Sequence, residues 1–72
     1  MSKYAVVFEK SPSGYGAYVP DLPGCVAAAA TLYETEKLIR EGIELHLDGI
    51  REDGDEIPQP TTVAEMIEVS AV

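Results

Sequence analysis

Pro20-Asp21-Leu22-Pro23-Gly24-Cys25 is the stretch that most restricts what this chain can fold into. Each proline holds φ at about −65° and lacks an amide donor, and a glycine admits backbone angles that other residues avoid. Such a segment can neither extend a strand nor open a long helix. It sets a corner between the apolar runs on either side, so Pro20, Pro23 and Gly24 are structural turn residues.

Before the corner, Tyr4, Val6 and Phe8 alternate with Ala5, Val7 and Glu9 in a run rich in β-formers, which predicts a strand. Lys10-Ser11-Pro12-Ser13-Gly14 is a loop signal, and Tyr15-Gly16-Ala17-Tyr18-Val19 is a second short strand, so the two predict a hairpin. After the corner, the alanines of Cys25-Val26-Ala27-Ala28-Ala29-Ala30 favour helix by propensity. The short loop lengths favour a third strand, antiparallel to the second.

Thr31 and Glu34 have the spacing of a capping box, with Thr31 as N-cap and the Glu34 side chain reaching back to the Thr31 amide. From there to about Arg51 the pattern is helical. Leu32, Ile39, Ile43, Leu47 and Ile50 share one stripe with His46 at its edge, and Leu38, Gly42, Leu45 and Gly49 form an adjoining one. That apolar face is wider than one small sheet requires. Arg51-Glu52-Asp53-Gly54 ends the helix with Gly54 as the left-handed residue, and Ile57-Pro58-Gln59-Pro60 must run extended. Residues 61–69 alternate imperfectly, with Glu65, Ile67 and Val69 opposite Ala64, Met66 and Glu68. Their Ile, Val and Thr content favours a fourth strand over a helix. The expectation is one α+β domain over residues 1–72, ordered β-β-β-α-β, with one helix packed on a face of a small sheet.

A chain of 72 residues rarely gains more than a few kcal/mol from its own core, so a partner or self-association is expected. The formal charge of −8 repels phosphate backbones, which disfavours direct nucleic-acid binding and suits a basic protein partner. Nothing reads as a signal peptide, and no apolar run approaches a membrane span, so the expected location is cytoplasmic. A single cysteine excludes an internal disulfide and fits a reducing compartment. No phosphate loop, nucleophile elbow or acid–base pair at an informative spacing is present, so the chain is expected to be non-enzymatic, with no cofactor and no metal. Cys25 has no basic neighbour in sequence to activate it and reads as a small buried hydrophobe, and His46 as a core-edge residue. Asp21 is expected to cap its own turn in preference to meeting a basic partner.

Taken together, Gly14-Tyr15, Tyr18 through Cys25, Thr31-Leu32 with Glu34, Arg40-Glu41, His46-Leu47, Arg51 through Gly54 and Ile57 through Pro60 resemble the HicB-like antitoxin family. The likeness runs in order over about residues 4 to 60. The departures are Ala29 and Ala30, where the family often has a Gly and an acid, and Thr35 and Gly42, where it has alanines. The resemblance implies a partial RNase H-like fold whose last strand lies parallel beside the first, making a mixed sheet. It also implies neutralisation of HicA, a small basic mRNA interferase, and it resembles a short form without the C-terminal DNA-binding segment of longer members. Partner-binding residues are expected at Tyr15, Tyr18, Asp21 and Leu22, with Glu41, Glu44 and Asp48 of the helix less favoured. A stand-alone homo-oligomer, dimeric or larger, is the competing expectation.

Overall fold

The computed structural model describes residues 2–71. Strand β1 spans Val7–Ser11, β2 Gly14–Tyr18 and β3 Val26–Ala29, and helix α1 spans Leu32–Glu52. The strands lie in the order β1-β2-β3, each antiparallel to its neighbour. The β1–β2 hairpin closes over Pro12-Ser13, with Ser11 opposite Gly14. Gly14 has φ +152°, and a Cβ there would overlap the Ala29 carbonyl oxygen, so no larger residue fits where β2 passes β3.

The prolyl corner folds into two tight turns. The Leu22 amide donates to the Val19 carbonyl at 3.0 Å and the Cys25 amide to the Leu22 carbonyl at 3.0 Å. The Val19 amide donates to the Cys25 carbonyl at 3.2 Å and closes the loop. Gly24, at φ +86°, takes the position of the second turn that needs a positive φ, one after Pro23. This spacing turns Val19, Leu22 and Cys25 inward, where they form the core with Ala17 and Ile39. Burying Leu22 completely is worth about 2 kcal/mol. The corner is therefore part of the core as well as its frame.

Helix α1 starts at Thr31, whose hydroxyl oxygen accepts the Glu34 amide at 3.1 Å. The Glu34 carboxylate takes the Thr31 hydroxyl at 2.9 Å, where the capping-box pattern predicted the Thr31 amide. One turn on, Thr35 is fully buried, and its hydroxyl donates to the Thr31 carbonyl at 2.8 Å, with the Tyr15 carbonyl at 3.5 Å. Ile39 lies in the core, with Ile43 and Leu47 packed half-buried against it, as their stripe predicts. Leu38 and Leu45 of the adjoining stripe are exposed, as is Leu32 at the start of the main one, so the core takes up only the middle of the apolar face. The helix packs over β3 and β2 and stands away from β1.

Two expectations about the sheet are corrected. Residues 55–71 form no strand, and the sheet is antiparallel throughout the described residues rather than mixed. Two contacts set the path that prevents a fourth strand. The Tyr4 hydroxyl donates to the Pro58 carbonyl at 2.6 Å, and the Asp21 side chain holds Thr61 and Thr62. The chain therefore crosses the end of the sheet, from the approach to β1 to the β2–β3 corner, and does not turn back along β1. Pro58 and Pro60 remove two amides that a ladder would need. The competing helical reading of residues 63–67 is not formed either.

Candidate functional site

Strand pairing divides the side chains of the sheet between two faces. Phe8, Ala17 and Ala27 form one cross-strand row, and Lys10, Tyr15 and Ala29 another, both on the side where Ala17 meets the core. The opposite side carries the row Val7–Tyr18–Val26 and the row Glu9–Gly16–Ala28. Among the described residues, no helix covers this second face. Tyr18 is 42% exposed there and Val26 68%. Gly16 and Ala28 keep the neighbouring row low, so a partner could lie flat against the strands with its side chains around the Tyr18 ring.

The residues expected to meet a partner are distributed over different parts of the molecule. Tyr18 lies on the open face. Tyr15 belongs to the opposite face by strand alternation and is half-buried. Leu22 is fully buried, so its side chain offers no surface. Glu41, Glu44 and Asp48 are exposed along α1, and Asp48 is paired with Arg51 at 3.0 Å. Val7 and Val26 were not anticipated. Their signal is the register of the hairpin, which is fixed once the loop is read as two residues, Pro12-Ser13, and which sets Val7 opposite Tyr18.

Asp21 has a different role from the expected one. Its carboxylate receives the Thr61 and Thr62 amides, each at 3.0 Å, and the two threonine hydroxyls at 3.2 and 2.8 Å. The acid caps a segment forty residues downstream, not its own turn. The Thr62 amide, followed by the other donors, holds the Asp21 carboxyl below the ordinary carboxylate range. Cys25 is buried beneath the corner, and burial pushes its thiol pKa up, away from the reactive thiolate. Among the described residues, no group of three or more His, Cys, Asp or Glu side chains could hold a metal ion, and no helix is long and apolar enough to cross a membrane.

Residues 4–71 match the family model described as HicB-like antitoxin of bacterial toxin–antitoxin systems. An uncharacterized 14.9 kDa protein from the rep–hol intergenic region of Haemophilus phage HP1 is 38% identical over 64 residues, which are 89% of this chain and 48% of the phage protein. A UPF0150 protein of Archaeoglobus fulgidus is 43% identical over 56 residues, 74% of this chain and 81% of that protein. A UPF0150 protein of Helicobacter pylori is 43% identical over 47 residues, 65% of each chain. The chain thus spans about half the length of the phage protein.

Proposed function

Because this chain belongs to the HicB-like antitoxin family, we propose that it neutralises a small basic mRNA interferase of the HicA type by lying over the toxin's active surface. The observation that carries this reading is the uncovered sheet face with the Val7–Tyr18–Val26 row, set in a chain of net charge −8. An acidic field accelerates encounter with a basic protein and disfavours RNA, the toxin's own substrate. A half-exposed tyrosine flanked by valines is the kind of amphipathic anchor on which interface energy concentrates. Glu9 on the same face adds an acid at the rim. Steric cover needs no chemistry from the antitoxin, which agrees with a buried, protonated Cys25. On this reading the two proteins meet in the cytoplasm, where a toxin that cuts mRNA works.

Co-expression with a small basic toxin of the HicA type tests the reading. The expected result is a stable complex and restored growth. Tyr18→Ala combined with Val26→Asp should lose both while the isolated chain stays folded and still melts cooperatively. Absence of complex and of rescue with the unaltered chain would overturn the proposal.

A further inference from the structure

Helix α1 carries an apolar stripe that the core does not use. Leu38, Gly42, Leu45 and Gly49 follow one another at intervals of four, three and four residues, the spacing of the seam positions in a heptad. Leu38 is 45% exposed and Leu45 72%, although both lie well inside a 21-residue helix. The glycines keep the stripe low between and beyond them. A Cβ at Gly42 would meet only the Cys25 sulfur, at 3.8 Å, and one at Gly49 would meet nothing within 4 Å. Two leucine knobs therefore alternate with two hollows along roughly 16 Å, about three helical turns.

The two edges of the stripe differ. On one side stands the domain itself, with Thr35 and Ile39 buried and Cys25 beside Gly42. Along the other run Glu34, Glu41 and Asp48, an acid at every seventh residue, in the position that flanks a heptad seam. Among the described residues, Glu34 and Glu41 make no ion pair, and Asp48 pairs with Arg51 alone. Arg40 and Arg51 lie further round the helix, where they line an open groove beside β1.

We infer that this stripe docks a basic amphipathic helix of a partner protein, which sets apolar side chains over Gly42 and Gly49 and lysines or arginines against Glu34, Glu41 and Asp48. Charge decides the occupant. The acidic edge repels an anionic lipid surface. A second copy laid antiparallel sets these acids against their own kind, and laid parallel it brings two domains of charge −8 side by side. A basic helix gains from the same edge. The stripe lies on the helix side of the sheet, away from the Tyr18 face proposed for the toxin, so both sites can be filled at once and neither needs the other. Three turns of helix make a small interface, and binding is expected in the micromolar range.

The probe is a synthetic peptide of three heptads with Ile and Leu at the seam and Lys on both flanks, which its own charge keeps monomeric. It is titrated into the isotope-labelled full chain at low salt, and amide shifts are followed. The expected result is saturable binding that weakens as salt rises, with shifts concentrated between Glu34 and Gly49. Leu38→Gln with Leu45→Gln should weaken it at least about tenfold and leave the chain folded, because Gln is close to Leu in helix propensity. Glu41→Lys should weaken it about fivefold. Glu44→Lys makes the same change of net charge on the groove flank and should cost less than about twofold. Equal losses from these two would mean attraction to net charge alone and would overturn the inference. Unaltered affinity in the leucine variant, or no saturable binding at all, also overturns it. So do shifts at the stripe that grow with chain concentration in the absence of peptide, which would assign it to a second copy.

Discussion

The Asp21 carboxylate accepts the Thr62 amide at 3.0 Å and the Thr62 hydroxyl at 2.8 Å, joining the β2–β3 corner to a residue 41 positions later. With the matching pair from Thr61, this is the contact that decides where the chain goes after Pro60. Asp21→Ala removes every acceptor of the clamp. Thr61 and Thr62 amides should then exchange at rates near those of an unfolded chain, while amides of β2 and β3 keep their protection. Unchanged protection at Thr61 and Thr62 would show that Tyr4 and Pro58 alone hold the segment.

The same clamp should open with acid. Its donors favour the charged carboxylate, so the folded pKa lies below the unfolded one. For a lowered acid, the stabilisation is complete above the unfolded pKa and is lost as pH falls through the folded one. Amide shifts of Thr61 and Thr62 should therefore be flat at neutral pH and move together only below the ordinary carboxylate range. Movement at neutral pH would assign the transition to another group.

Gly14 and Gly24 both have positive φ, but their substitutions should differ in cost. Gly24 has open space around a would-be Cβ, so Gly24→Ala meets backbone strain alone, about 1 kcal/mol. At Gly14 the Cβ meets the Ala29 carbonyl, which is backbone and part of the sheet. Gly14→Ala adds a displacement of β3 to the strain, about 2 kcal/mol or more. Chemical denaturation of the two variants checks the order.

Elements whose reasons are local were legible in the chain. Tyr4, Val6 and Phe8 pack on the core side as their alternation predicts, and Ile39, Ile43 and Leu47 hold the helix against it. What escaped depends on distant pairings. Residues 63–69 have strand-like composition, but a strand also needs a reachable edge, and the Asp21 clamp removes it. Thr35 was noted only as a departure from an alanine, because no local pattern marks a buried hydroxyl satisfied by a carbonyl four residues back. The open face went unread for a related reason: Tyr18 was legible, but its neighbours Val7 and Val26 come from other strands.

Cys25 should report on opening of the core. Its thiol is buried, and burial holds its pKa up, so little thiolate exists at neutral pH and no reagent reaches it. Alkylation of the native chain should be slow and should accelerate sharply through the unfolding transition. Rapid native labelling would mean that the corner opens locally, without the rest of the fold.

The corner and the open sheet face can be separated by one pair of substitutions. Leu22 is fully buried, so Leu22→Ala removes core contacts and should cost about 2–5 kcal/mol of stability. In a chain this small, that is most of the available margin, and any loss of toxin binding would follow from unfolding. Tyr18 projects from the uncovered face, half-exposed between Val7 and Val26. Tyr18→Ala should change stability by about 1 kcal/mol or less and weaken toxin binding by at least about tenfold, the scale of an interface anchor. Calorimetric melting set beside a binding titration with the toxin distinguishes the two variants. If Leu22→Ala binds normally below its melting point and Tyr18→Ala also binds normally, the toxin surface lies off the open face, and the exposed acids of α1 become its next location.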